Sequence, residues 1–221
     1  MEKHFDQELA QLRNDLVRMG SLAELAIFES VEALKELSLN RASAVISNDI
    51  IIDEMENAID EKCIDLLALR QPMAVDLRFI TMVMKITTDL ERIADLAVDI
   101  AQRVLELLGK PHLKPLIDIP KLTEIAQMMT KFSLDAFVNK DAELAGRVIK
   151  LDYEADQLRD LIQKELLDDF MMKDPQTASR AIPLLLVARH LERICDHATN
   201  IAEDVIFMLK ATVVKHHPER L

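Results

Sequence analysis

Carboxylates spaced four residues apart are the chemically distinctive feature of this sequence, and they occur in two similar segments. "TTDLERIADLAVDIA" begins at Thr87 and "ARHLERICDHATNIA" begins at Ala188, with eight of fifteen positions identical. Side chains at i and i+4 of a helix are neighbours, and all-oxygen ligand sets suit hard cations. The candidate metal ligands of the two segments are Glu91, Asp95 and Asp99, then Glu192, Asp196 and Asn200.

A second pair of segments carries further carboxylates on a common helical stripe. "ASAVISNDIIIDEMENAID" aligns with "AGRVIKLDYEADQLRDLIQ" at an offset of 103 residues. This alignment adds the candidate ligands Asp49, Asp53, Asp152 and Asp156. In the second copy Arg159 and Gln163 replace two carboxylates, and Asn200 offers one neutral oxygen. The sequence therefore predicts that the first copy binds a cation more tightly.

A helical wheel at about 100° per residue separates these carboxylates from the apolar residues. We expect the acidic side chains to point outwards, away from the core, and to face a groove between antiparallel neighbours. A purely solvated charge stripe is the alternative reading. Like charges at i and i+4 repel each other, which makes a run without lysines unfavourable for solubility alone. The predicted core stripes are Ile86, Leu90, Ile93, Ala97, Ile100 and Val104, and Val187, Leu191, Ile194, Ala198, Ile201 and Val205.

The residue pattern gives little support for a phosphate-binding loop or for catalysis. Three glycines in the whole chain cannot form a glycine-rich phosphate loop, and we find no catalytic constellation, so we expect no enzyme activity. His190 and His197 are interpreted as exposed or interhelical residues rather than ligands, and His216 and His217 as residues without a specific role. Cys63 and Cys195 lie in apolar helical pattern, which is typical of buried thiols in a reducing compartment.

Composition limits the classes of partner. The chain has 221 residues, half of them hydrophobic, and a formal net charge of −12. An acidic protein is unsuited to nucleic acid, which needs a basic surface. The amino-terminal stretch lacks the apolar region of a signal peptide, and the longest apolar run, Ala181 to Ala188, is too short to span a membrane. We therefore expect a cytoplasmic protein that does not insert into membranes.

The hydrophobic period is helical almost throughout and predicts six helices. Their expected bounds are about 5–37, 41–69, 75–108, 121–138, 141–172 and 177–215. The predicted fold is all-α, with two tandem antiparallel three-helix bundles related by internal duplication. The predicted domains are residues 1–109 (repeat 1), a proline-rich linker at 110–120, and residues 121–221 (repeat 2). Pro183 is expected either to kink the sixth helix or to delay its start.

The chain resembles the PhoU family of phosphate-regulon regulators from about residue 5 to residue 210. The resemblance is carried by "RQPMAVDLR", "DLERIADLAVDIA" and "HLERICDHATNIAE", preceded by "VISND" and "IDEMENAIDEKC". It implies a cytoplasmic adaptor, usually homodimeric, whose carboxylate motifs bind metal ions: iron, Mn, Mg, Zn or Ca. The implied partners are a membrane-bound sensor histidine kinase and the ATP-binding subunit of the phosphate transporter, both restrained when phosphate is sufficient.

Two further functions remain open at this point. A carboxylate-bridged metal oxidase or metal-storage protein would need a buried site, whereas the helical wheel places these carboxylates outwards. A structural helical protein would need no metal at all. Metal analysis of purified protein separates the last reading from the others, and binding to membrane fractions separates the adaptor from the oxidase.

Overall fold

The computed structural model describes residues 2–211, with side chains from residue 4 onwards. Helices α1 to α3 form one antiparallel bundle and α4 to α6 form another, and no strand occurs within the described residues. The predicted fold class is therefore confirmed. The helices are α1 (Glu2–Glu36), α2 (Leu39–Arg70), α3 (Ala74–Leu107), α4 (Asp118–Asn139), α5 (Ala142–Glu165) and α6 (Ala178–Lys210).

The predicted helices lie within three residues of these bounds except at the ends of the fifth and the sixth. α5 was expected to continue to Met172, but it ends at Glu165 and passes into a π-helical segment, Leu166–Met171. A 3-10 turn, Pro175–Thr177, then leads into α6. The sixth helix was expected to end at residue 215, but α6 ends at Lys210 because Ala211 adopts a left-handed conformation. His216 and His217 lie outside the described residues. The domain limits at 109 and 121 stay predictions.

The internal duplication extends to the turns that end α1 and α4. Leu37 and Lys140, 103 positions apart, both adopt left-handed backbone conformations, with φ of 50° and 56°. The next residue in each turn donates its backbone N–H five residues back, at 3.0 Å from Ser38 and 2.9 Å from Asp141. These two residues also cap the following helices, because each side-chain oxygen accepts hydrogen bonds from backbone N–H groups of the first turn. Both copies therefore reverse the chain in the same way.

The core runs continuously through both bundles. All twelve residues of the two predicted core stripes are buried, which confirms that part of the helical wheel. Cys63 and Cys195 are buried free thiols, as expected. Because one cluster of buried side chains includes residues from all six helices, the two repeats share a single core.

Helices α3 and α6 form the centre of the contact between the repeats. Lys85 Nζ lies 3.1 Å from Asp204 Oδ1, and His190 Nδ1 lies 3.7 Å from Asp99 Oδ2. The contact of the later residue on α3 is with the earlier residue on α6, so the two helices are antiparallel. At the contact between α1 and α4, a Cβ atom on Gly20 would lie 2.2 Å from Leu134 Cδ1. Only glycine allows this approach without displacing Leu134.

Pro183 lies buried inside α6, five residues after the helix begins at Ala178, so it does not delay the start. A proline cannot donate to the carbonyl four residues earlier, which here belongs to Ser179. Lys110 Nζ donates to that carbonyl at 3.3 Å, so a linker residue replaces the missing donor. No described helix combines the length and hydropathy needed to cross a membrane.

Candidate functional site

Helices α2 and α3 bring carboxylates together in what we call the first acidic groove: Asp49, Asp53, Glu56, Glu91 and Asp95. Burial, then the charges of Asp53 and Asp95, raise the pKa of Asp49 to about 6. Burial, then mainly Asp95, raise the pKa of Glu91 to about 7. Asp95 of α3 acts on Asp49 of α2, and Glu56 and Asp53 of α2 act on Glu91 of α3, so the two helical stripes lie close to each other.

The expectation that the acidic residues point outwards is wrong for Glu91. Its side chain is only 15% exposed, because α2 covers this side of α3. Glu91 Oε2 is buried and lacks a hydrogen-bond partner, although Arg92 Nε lies 3.3 Å away without hydrogen-bonding geometry. Burial also raises the pKa of Glu56 and of Asp60, and Asp60 Oδ1 is a second buried oxygen without a partner. The first groove thus holds more negative charge than its own cations neutralise.

Helices α5 and α6 form the equivalent second acidic groove, which consists of Asp152, Asp156, Glu192 and Asp196. Burial, then Asp196 and Asp156, raise the pKa of Asp152 to about 6. Burial is also the main cause that raises the pKa of Glu192 and of Asp196. Glu192 is 17% exposed, so the outward prediction is wrong here as well. The structure therefore pairs the stripes of repeat 2 as it pairs those of repeat 1.

Asp99 and Asn200, predicted as the last ligand of each motif, lie at the contact between the repeats instead. Asp99 Oδ2 lies 3.7 Å from His190 Nδ1 of α6. Asn200 Nδ2 donates to Asp89 Oδ1 at 3.4 Å, so it faces α3. Asp89 and His190 are themselves equivalent positions, 101 residues apart. The two contacts are therefore copies of each other, and neither residue joins a groove.

His190 and His197 lie between helices, and Cys63 and Cys195 are buried. His197 Nδ1 lies 2.8 Å from Asp89 Oδ1, so both His190 and His197 are interhelical, as one of the two sequence readings proposed. Burial raises the pKa of the Cys63 thiol to about 12 and the pKa of the Cys195 thiol well above its ordinary value. Neither thiol is ionised near neutral pH, which removes both as nucleophiles.

The first acidic groove offers the ligand chemistry of a hard cation. It supplies carboxylate oxygens, which Mg²⁺, Mn²⁺ and Ca²⁺ prefer, and Glu91 Oε2 is buried without a hydrogen-bond partner. Among the side chains of residues 4–211, no group of three or more His, Cys, Asp or Glu is gathered closely enough to hold a metal ion. To hold a cation, these carboxylates would have to turn towards a common point.

A separate groove of about 340 Å³ lies between α1 and α2, with Leu22, Leu25, Ile51 and Ile52 among its walls. Its apolar surface does not suit a hydrated cation, although Asp49 lies at its edge. The acidic grooves remain the candidate sites.

Three carboxylates of the same stripes were left out of the candidate ligand set, although they belong beside it. The charge of Glu56 helps to raise the pKa of Glu91, and the charge of Glu203 helps to raise the pKa of Asp152. The charge of Asp60 acts in the same way on Glu56. Glu56 is three residues after Asp53 and Asp60 is four residues after Glu56, so both lie on the same stripe and the signal was present in the sequence.

Comparison with known proteins agrees with the duplicated architecture. The sequence model of the PhoU domain matches residues 16–104 and 119–205, once in each repeat. "Phosphate-specific transport system accessory protein PhoU homolog" from Clostridium acetobutylicum is 39% identical over 208 residues, covering 94% of both chains. Its counterpart from Aquifex aeolicus is 39% identical over 210 residues, covering 95% of both.

Two solved structures have the same fold. The crystal structure of PhoU from Pseudomonas aeruginosa superposes with a TM-score of 0.90 at 38% identity, covering 94% of this chain and 100% of that one. The phosphate transport system regulatory protein PhoU from Streptococcus pneumoniae superposes with a TM-score of 0.88 at 28% identity, covering 95% and 99%. The sequence and the duplicated six-helix fold together show that this chain belongs to the PhoU family.

Proposed function

We propose that this protein is an accessory protein of a phosphate-specific transport system and acts by binding rather than by catalysis. The observation that carries the proposal is the match to relatives of that name over nearly the full length of both chains. The unreactive thiols agree with a non-catalytic role.

In this role the protein would work in the cytoplasm as a homodimer. It would restrain the transporter, through its ATP-binding subunit, and a membrane-bound sensor histidine kinase when phosphate is plentiful. Both partners are proposed from the family resemblance. The acidic surface, with a net charge of −12, favours a basic patch on whichever partner it contacts.

We further propose that the first acidic groove binds a metal ion: iron, Mn, Mg, Zn or Ca. Asp49, Asp53, Glu91 and Asp95 would hold it, and Glu56 lies beside them. A bound cation supplies positive charge that stabilises the ionised carboxylates. The chain's own contribution is to hold α2 and α3 in a register that brings both stripes to one groove. Metal binding would then fix the relative position of these helices.

The regulatory role is tested in a strain that lacks the gene and carries a reporter for phosphate-starvation genes. Reporter activity in phosphate-rich medium should rise in the deletion strain and return to the basal level when the wild-type gene is restored. A reporter that stays low in the deletion strain would contradict the proposed restraint. Co-purification of the transporter's ATP-binding subunit with tagged protein tests the transport partner separately.

A further inference from the structure

Position 159 is the point at which the two acidic grooves differ most. Arg159 in repeat 2 occupies the position of Glu56 in repeat 1, at the offset of 103 residues that relates α5 to α2. The same offset pairs Asp152 with Asp49 and Asp156 with Asp53, so the surrounding carboxylates are retained. One groove therefore carries a fixed positive charge where the other carries a negative one.

The guanidinium group of Arg159 bridges the two helices of the second groove. Arg159 Nη2 donates to Asp156 Oδ1 of α5 at 3.3 Å, and it lies 3.4 Å from Glu192 Oε1 of α6. The Arg159 side chain is 28% exposed, so its charge acts from a partly shielded position. Asp160 Oδ1, 3.2 Å from Arg159 Nε, adds a third carboxylate on the outer side. A metal ion bound between α5 and α6 would have to displace this group.

Within the part of the chain that the structure describes, the first groove has no cation paired with both of its helices. Arg92 lies 3.3 Å from Glu91 and 2.9 Å from Asp95, but all three residues belong to α3. Its side chain is 55% exposed, and its charge opposes the rise in the pKa of Glu56 on α2, but both of its ion pairs are with carboxylates of α3. Among the described residues, an arginine paired with carboxylates of both helices therefore occurs in the second groove and not in the first.

We propose that Arg159 is a built-in counter-ion that takes the place of a metal ion in repeat 2 and confines metal binding to repeat 1. This inference rests on the proposed metal binding of the first groove. It replaces the expectation that Asn200 weakens the second site, because Asn200 faces α3. Exchanging residues 56 and 159 between the repeats should exchange their metal-binding properties.

Thermal melts in chelator test the counter-ion without any metal. Arg159→Gln leaves Asp156 and Glu192 without their shared cation, so the melting temperature should fall by about 2 °C or more relative to Arg147→Gln. Arg147 is an exposed arginine on the same helix. Glu56→Arg supplies the missing cation to repeat 1 and should raise the melting temperature, whereas Glu54→Arg, on the exposed side of α2, should not.

Calorimetric titration with Mn²⁺ tests the exclusion of metal. Wild-type protein should bind Mn²⁺ in repeat 1 only, so Asp49→Asn should weaken binding at least tenfold and Asp152→Asn should leave it unchanged. Arg159→Glu should increase the number of Mn²⁺ ions bound per chain, and Arg147→Glu, with the same change of net charge, should not. Glu56→Arg should abolish the binding that wild-type protein shows.

Three results would overturn the inference. Equal loss of Mn²⁺ binding in Asp49→Asn and Asp152→Asn would show that both repeats bind metal despite Arg159, while the proposed metal binding would stand. A wild-type stoichiometry in Arg159→Glu would show that Arg159 does not exclude the ion. If no protein, Arg159→Glu included, binds Mn²⁺, both proposals fail.

Discussion

The carboxyl group of Glu91 makes the stability of the metal-free protein depend on pH. Burial and its acidic neighbours raise its pKa from 4.5 to about 7. The folded state therefore holds a proton that the unfolded state has already released, and the associated stability is present below pH 4.5 and lost as the pH rises through about 7. Asp49 and Asp152, each with a pKa raised to about 6, act in the same direction.

We expect the free energy of unfolding in chelator to fall between about pH 5 and about pH 8. Glu91→Gln should reduce that fall by about 1–2 kcal/mol, since the groove is partly screened by solvent. Urea unfolding at the two pH values measures it, with the exposed Glu54→Gln as the control. An unchanged pH dependence in Glu91→Gln would contradict the assignment of this shift.

Two aspartates at equivalent positions test the metal proposal through thermal stability. A ligand that binds only the folded state raises the melting temperature. Asp95→Asn should remove more of the rise caused by Mn²⁺ or Fe³⁺ than Asp196→Asn, because the second groove already contains Arg159. Melts with metal and with chelator, for both variants and the wild type, make the comparison. A larger loss in Asp196→Asn would reverse the order of the two grooves.

The groove residues could be predicted from sequence because four-residue spacing fixes which side chains share a helix face. Asp99 illustrates the limit. A helical wheel places it on the same stripe as Glu91 and Asp95, but at the edge of that stripe. Whether an edge residue faces α2 or α6 depends on where the other repeat packs. That position is a tertiary contact which no local spacing encodes.

At the scale of the helices, the buried stripes of α3 and α6 carry much of the stability. Leu90 and Ile194 are fully buried, so replacing either with alanine removes apolar contacts and leaves a cavity. Each change should cost about 2–5 kcal/mol in the free energy of unfolding, measured with urea. Ile64, which is 57% exposed on α2, provides the control, and its alanine variant should lose far less. A cost at Ile64 equal to that at Leu90 would contradict the assignment of the core face.

The two helical glycines should respond to alanine in opposite ways. Gly146 on α5 has open space around it, so alanine should stabilise the helix by about 0.5–1 kcal/mol. Gly20 on α1 touches Leu134 of α4, and overpacking there should cost about 1–3 kcal/mol, more than the gain in helix propensity. Denaturant unfolding of the two variants gives the comparison. A Gly20→Ala variant as stable as Gly146→Ala would show that α1 and α4 are not held this closely.

Helix number and most helix ends could be predicted because periodicity and turn residues are local signals. The π-helical segment after α5 could not, since Leu166–Met171 continues a helical pattern without a glycine or proline to end it. The sequence also did not show how α6 continues through Pro183. That continuation depends on Lys110, which lies far away in the sequence and reaches the unpaired carbonyl of Ser179 only in the folded chain.

At the scale of the whole molecule, the shared core predicts a single cooperative unfolding transition. Buried side chains of both repeats belong to one cluster, so neither bundle can open without exposing the face of the other. Ile194→Ala in repeat 2 should therefore accelerate hydrogen exchange of the most protected amides in α1 as well as α6. Amides of α1 that keep wild-type protection in this variant would indicate that the repeats unfold independently.

The paired contacts across α3 and α6 have the form of a symmetric dimer interface. Asp99 faces His190 and Asn200 faces Asp89, so the contact between one pair of residues is repeated between the equivalent residues of the other copy. Because both halves belong to one chain, the contact between them forms without an association step and does not depend on protein concentration. In addition, two halves that belong to one chain need not have the same residues at equivalent positions. In a true dimer, any substitution appears on both sides of the axis, whereas here Glu56 and Arg159 occupy the same place in two copies. A single chain can therefore carry different residues, with different charges, at equivalent positions of its two halves.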